Sequence, residues 1–381
     1  MVATRPTGEL AAIVLADSAR LQEEEAEYAN RKGFSKHRPA LPLYTEADAE
    51  AAVRLIRSVE PGETVELTAG VRTVLNHAGH ILGAATVTLS LPEATVLFSG
   101  DLGRPTHPIL LAPDEPSDAD VVVVESTYGD RRHEDEEAEI DELADAISAT
   151  ARRGGVVIVP AFAVDRTEVV LMTLKRLATE DRIPSLPVFV DSPMALAVLG
   201  VYRKAMAGGH NGTIGRDWRD DPFEQPGGLY EMPTPEDSKS LNAVREPAII
   251  VSASGMATGG RVLHHLVQRL GDQRNLVVLT GYQAPGTRGR SLADGAEFVK
   301  MLGRYVPVRA QIVQCGGFSA HADSDELIGW LAKMARPPGI VYLVHGEPDS
   351  SELLRQRISS ELGWFAVIPA LNETVWLDRM P

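Results

Sequence analysis

The sequence predicts an α/β protein, an α+β sandwich of sheet layers and helices interrupted by an inserted parallel α/β domain. Three observations predict it. The front of the chain packs several short β-branched runs between turns. From Glu134 the period changes, and short apolar strands alternate with amphipathic helices. After about Tyr305 the β-rich style returns, so the middle block reads as an insert in an outer domain.

Taken in order, Thr7 to Asn30 carries Leu10, Ile13, Val14 and Leu21 at helical spacing and turns acidic at Glu23 to Glu25, which predicts a helix. A second amphipathic stretch runs from about Glu46 to Val59. Strands are expected at Thr64 to Leu67, Val71 to Leu75, Ala85 to Leu91 and Thr95 to Ser99, with Val121 to Glu125 a buried strand ending in an acid. The insert opens with an acidic helix, Glu134 to Ala151. Its strands are Val156 to Pro160, Pro187 to Asp191, Ala248 to Ser252 and Leu276 to Thr280, separated by helices after Asp165, from Pro193 and over Gly260 to Leu270. Such alternation is the mark of a parallel sheet. The loop-rich stretch Gly208 to Glu246 shows no strong pattern. Beyond it, Arg309 to Gln314 and Ile340 to Val344 flank a helix over Ser324 to Met334, and no repeat or low-complexity tract is visible.

With 381 residues, 44% hydrophobic and 24% charged, the chain has enough length for two or three domains and is neither collagen, coiled coil nor bulk disorder. A single cysteine excludes a disulfide scaffold and a cysteine-cluster zinc module, and it predicts a reducing, cytoplasmic setting. That leaves ten histidines and the carboxylates as candidate ligands. Apolar runs such as Val121 to Val124 fall far short of the ~20 residues needed to cross a bilayer, so no membrane partner is expected. The net charge of −16 argues against a protein that coats nucleic acid, because phosphate neutralisation needs surplus Lys and Arg. It leaves room for an enzyme that holds nucleic acid in one groove.

Five segments place an ionisable side chain at a strand end or in a Gly-rich turn: Asn76 to His80, Phe98 to Asp101, Val124 to Gly129, Gly317 to Asp323 and Val344 to Glu347. Imidazole and carboxylate suit zinc and similar divalent ions, and paired ions commonly share a bridging carboxylate. Each residue alone also has a plainer explanation. A single histidine after a strand is ordinarily a hydrogen-bonded structural group, and Asp101 between glycines is a natural turn residue. Cys315 reads as a small buried apolar group. His264 and His265 are adjacent on an expected helix, diverge by about 100° and cannot grip one metal together.

As an ordered set, GHILGA, SGDLGR, ESTYGDR, GGFSAHAD and VHGE resemble the motifs of metallo-β-lactamase-fold nucleases of the β-CASP group, which includes RNase J and the pre-mRNA 3′-end processing endonuclease. The resemblance extends to SASGMATGGR (Ser252 to Arg261) and GYQAPGTRGR (Gly281 to Arg290). It implies an αββα sandwich from residues 1–128 and 306–381, a β-CASP domain over 129–305, and a zinc-dependent ribonuclease whose partner is RNA, most simply single-stranded, with a homodimer as a candidate assembly. By resemblance, His80, Asp101 and His345 would be metal ligands, with Asp101 bridging two zinc ions. His321, held by Glu125, would be the general acid, and Ser319 and Arg288 would contact substrate, with Arg261 and Arg290 as further basic groups along the RNA path.

The sequence departs from the group's pattern in one respect. The group carries a His-x-His-x-Asp-His segment after an early strand and an Asp before it, and no His-x-His occurs in this chain. The sequence is therefore expected to be N-terminally incomplete, with too few ligands for a preorganised two-metal centre and with RNA cleavage impaired or absent in this form. Two alternatives remain at this stage: a non-catalytic RNA-binding homologue, and a metallo-hydrolase acting on DNA or another phosphodiester.

Overall fold

In a computed structural model of the chain, the described residues are 1–133, 136–209, 213–215, 218 and 220–377. They form two compact units, one of Met1–Arg132, Gly208–Gly215 and His321–Pro381, the other of His133–Ala207 and Arg216–Ala320.

The first unit opens with β1 (Val2–Thr4) and the long helix α1 (Arg5–Lys32). Thr4 caps α1 by accepting from the Thr7 amide, and both threonine hydroxyls donate to Gly83 O at 2.7 Å, tying the helix start to that turn. Gly33 ends α1 at φ 70°, a backbone conformation that glycine adopts without strain. Helix α2 (Glu46–Val53) begins in a capping box between Thr45 and Asp48. It stops well before Val59, contrary to the sequence expectation, because β2 (Arg57–Val59) pairs in parallel with β1 and buries Val59. Tertiary pairing overrides the helical pattern there. Strands β3 (Thr64–Thr68), β4 (Val71–His77), β5 (Ala85–Ser90), β6 (Thr95–Phe98) and β7 (Val121–Glu125) follow.

The second unit runs through α3 (Glu136–Arg152), β8 (Val156–Pro160), α4 (Arg166–Thr179), β9 (Val188–Val190), α5 (Pro193–Lys204), β10 (Leu229–Glu231), α6 (Pro235–Ser240), β11 (Ala248–Ser252) and α7 (Val262–Arg269). It continues with β12 (Leu276–Thr280), α8 (Arg288–Ala293), the hairpin β13 (Phe298–Met301) and β14 (Arg304–Pro307), and β15 (Gln311–Cys315). Residues 134 and 135, expected to open α3, lie outside the described residues. The six-stranded sheet has the order β10-β9-β11-β8-β12-β15, all parallel. Every residue of β8, β11 and β12 is buried, as a sheet covered on both faces requires.

The chain then returns to the first unit with α9 (Ser324–Leu331), β16 (Ile340–Val344), α10 (Pro348–Arg357) and β17 (Ala366–Val367). These complete a seven-stranded sheet of order β17-β16-β7-β6-β5-β4-β3. Leu327, Trp330 and Leu331 of α9 and Leu354 of α10 pack on Val122 and Val124 of β7 and Val341 and Leu343 of β16. Burying one such aliphatic side chain is worth about 2 kcal/mol.

One boundary differs from the sequence reading. That reading gives residues 306–381 to the outer domain, yet β15 is the edge strand beside β12, in register Val278↔Val313, and the second unit runs on to Ala320. A lone apolar strand does not announce its sheet, and the partner that claims it is found only in three dimensions.

Candidate metal and catalytic site

Strand direction explains the site. β4 and β5 are antiparallel, as are β5 and β6, while β6, β7 and β16 are mutually parallel. Hence β4, β6, β7 and β16 all point the same way, and the residues just past their ends share one sheet edge. These residues are His80 after β4, Asp101 after β6, Glu125 closing β7 and His345 after β16. In parallel sheets this carboxyl edge is where ligands collect.

Two glycines allow the turns to close on each other. A methyl on Gly103 would run into the Gly79 backbone carbonyl, and the Gly103 amide donates to Ala78 O at 2.7 Å. His321 joins the same edge because it pairs with Gly103 as an isolated bridge, and the Ala322 amide donates to Leu102 O at 2.8 Å.

The side chains meet as follows. His80 Nε2 lies 3.9 Å from Asp101 Oδ2, and His345 Nδ1 lies 3.1 Å from Asp101 Oδ1. His321 Nδ1 stands 3.0 Å from Glu125 Oε2, and its ring centroid is 4.3 Å from that of His80 and 6.1 Å from that of His345. At this edge two groups of described residues place one donor atom per residue within 4.8 Å of each other, His80 with Asp101 and His321, and Asp101 with Glu125 and His345, alongside a third group, His133, Asp323 and Glu326, that shares no member with them. Asp101 belongs to both of the edge groups, as a bridging carboxylate would.

Glu125 is 1% exposed and would favour its neutral form there. Burial pushes its carboxyl up, but the His321 hydrogen bond and charge, the Thr127 hydroxyl and the His80 charge together hold it below the usual range. The Leu102 amide also donates to its Oε1 at 2.6 Å. Glu125 is thus an anion fixed in place, turning one nitrogen of His321 inward and leaving the other for the edge.

Sequence reasoning singled out these five residues and missed two that hold them. The Ser99 hydroxyl accepts from the Glu125 amide at 3.0 Å. The Thr127 hydroxyl lies 3.2 Å from His345 Nδ1 and donates to His345 O at 3.0 Å, clamping a histidine whose φ of 60° is unusual for a residue with a Cβ. Both stand inside quoted motifs, but a hydroxyl beside a charged residue gives no signal of its target.

The expected substrate contacts fall in the second unit. Ser319 is buried, with its amide donating to Gly316 O. Arg288 donates to the carbonyls of Lys300, Ala257 and Thr258, Arg261 is spent on Asp191 and the Met232 and Pro233 carbonyls, and Arg290 pairs with Asp294. His265, expected to be structural, bonds the fully buried Asp191 at 2.6 Å. Cys315 is buried and its thiol is pushed up to about 12 by burial and by Glu139 and Glu142, which makes it inert. No helix among the described residues is long and apolar enough to cross a membrane.

Comparison with known proteins fits this geometry. A model described as the Beta-Casp domain matches residues 167–292, and one described as the Zn-dependent metallo-hydrolase RNA specificity domain matches residues 305–369. The chain is 36% identical over 348 residues to a ribonuclease of Thermus thermophilus, covering 91% of this chain and 75% of that one. It is 32% identical over 310 residues to an RNase J-like protein of Methanocaldococcus jannaschii, covering 80% and 70%. Against transcription termination factor FttA of Pyrococcus abyssi, 30% identical, it covers 88% of its own length and 53% of that protein. The ordered motifs gathered at one sheet edge, the two family models and these identities make the chain a member of the metallo-β-lactamase-fold β-CASP ribonuclease family.

Proposed function

We propose that the chain acts as a zinc-dependent ribonuclease in the cytoplasm, cleaving phosphodiester bonds of single-stranded RNA. The observation that carries the reading is the convergence of His80, Asp101, Glu125, His321 and His345 at one sheet edge, with Asp101 common to both potential donor groups there. Imidazole and carboxylate are the donors zinc prefers, so these residues fit the metal. In this reading His80, Asp101 and His345 hold it, and zinc supplies Lewis-acid polarisation of the scissile phosphate.

The remaining work falls to the protein's own groups. Glu125, buried and anionic, fixes the His321 ring through Nδ1. His321 Nε2 then delivers a proton to the departing oxygen, a transfer imidazole performs well near neutral pH. Thr127 and Ser99 hold His345 and Glu125 in place. The Ser319 hydroxyl and the Arg288 guanidinium are kept as substrate contacts, Arg288 being oriented by bonds from Nε and Nη1 to the Lys300, Ala257 and Thr258 carbonyls.

Three donors shared between two ions are fewer than the three per ion usual in catalytic zinc sites, so slow turnover and weak zinc binding are expected. The test is cleavage of 5′-labelled single-stranded RNA during a zinc titration. Zinc should raise the rate, His321→Ala should abolish it while leaving zinc binding in place, and Asp101→Ala should lose both. Cleavage that survives His321→Ala would sink the proposal. RNA binding without any zinc-stimulated cleavage would favour the non-catalytic homologue instead.

A further inference from the structure

We infer that the outward face of the β13–β14 hairpin in the second unit is a docking surface for single-stranded RNA. The inference rests on the ribonuclease reading for its choice of polymer, and it concerns residues that the reading does not use. The hairpin closes through Leu302 and Gly303, at φ 46° and 81°, the two positive angles of a tight turn that fits the strand twist. Its register sets Phe298 opposite Pro307, Val299 opposite Val306, Lys300 opposite Tyr305 and Met301 opposite Arg304.

That register sorts the side chains. Val299, Met301 and Val306 are 4%, 0% and 5% exposed and join the core formed with α7 and α8. The opposite face carries Phe298 at 58% and Tyr305 at 71%, with Lys300 between them and exposed. Leu302 at 50% and Arg304, exposed and opposite Met301 in the register, close the tip. The ribbon is fastened from behind, since Arg288 Nε donates to Lys300 O at 2.8 Å. The ribbon is thus tied to its own unit by that bond and by its three buried side chains.

Charge identifies the occupant. The chain carries −16 overall, and arginines elsewhere are widely matched to carboxylates, yet none of the described ion pairs uses Lys300 or Arg304. Two exposed aromatic rings with Lys300 between them and Arg304 exposed at the tip, neither cation in a described ion pair, are what a flexible polyanion with stackable bases requires. Rings stack on bases of any sequence, and cations track the phosphates. A second copy of this chain would set its own Lys300 and Arg304 against these, so like charges oppose that alternative.

The experiment uses the full chain and fluorescence anisotropy of a labelled single-stranded oligouridylate, with far-UV circular dichroism to confirm folding. Phe298→Ala with Tyr305→Ala should weaken binding about tenfold and leave the salt dependence in place. Lys300→Gln with Arg304→Gln should weaken it and flatten the slope of log K against log salt by about 1.4, two contacts at ~0.7 each. Tyr305→Trp should retain binding. If the wild-type chain binds no RNA, the ribonuclease reading fails with the inference. If the wild type binds and both double variants bind equally well, the hairpin inference alone fails. Loss of a dimer by light scattering, with RNA affinity unchanged, would overturn it in favour of a second copy.

Discussion

The Thr127 hydroxyl bonds both the ring and the carbonyl of His345, so one side chain fixes the orientation and the backbone of a proposed ligand. Thr127→Val keeps the shape and removes the hydroxyl. Zinc affinity, measured by competition with a chromophoric chelator, should fall at least tenfold, the usual lower cost of losing a partner behind a ligand, and Thr127→Ser should recover most of it. Unchanged affinity in the valine variant would remove Thr127 from the site. Two buried acids of the second unit titrate in opposite senses. Glu168 is fully buried, and burial followed by the Asp165 charge pushes its carboxyl well up. The folded state keeps a proton that the unfolded chain releases, so this group favours folding in acid and costs stability as pH rises past the ordinary glutamate range. Glu168→Gln should flatten that decline, read as urea midpoints at about pH 5 and about pH 8. For Asp191, burial pushes up but bonds from His265, Ser238 and Arg261 win and hold it low. Its stabilisation is present above the ordinary aspartate range and disappears as pH falls through the lowered value, and Asp191→Asn should cost about 3 kcal/mol at neutral pH.

At the scale of elements, the crossing of two turns is the most exacting feature. Gly103 abuts backbone, not a side-chain tip that could swing away. Gly103→Ala should therefore force apart the turns bearing His80 and Asp101, costing about 2 kcal/mol and weakening zinc binding together. Gly200 makes the contrast: it sits inside α5 with open space where a Cβ would go, so Gly200→Ala should stabilise by about 0.5–1 kcal/mol in thermal unfolding. Most of the strands could be read from sequence because each is a short β-branched run between turn residues. The hairpin β13–β14 could not, since Lys300 and Tyr305 occupy its outer face and Arg304, opposite Met301, interrupts the apolar residues of its inner face. Nor could β2, whose three residues have no pattern of their own and take their shape from β1. The five segments that meet at the edge were legible because they combine glycine turns with ionisable groups, and the family resemblance named one residue in each. Their supporting hydroxyls were not, because a bond made across hundreds of residues, such as Thr127 to His345, leaves no local trace.

For the whole molecule, the decisive feature is that β7 lies beside β16 in the first unit's sheet, with Val124 opposite Leu343 and Glu125 opposite Val344. Between these partners the chain builds the complete second unit. On a ribosome emitting the chain from its N-terminus, the second unit has all its strands before β16 has been made, and domains tend to fold as soon as they are whole. The first unit must wait with β7 exposed along the side that β16 will cover. His321 and His345 are also among the late arrivals, so Glu125 spends most of synthesis without its histidine and Asp101 with His80 alone, and the acids of the site exist before two of the three histidines that answer their charge.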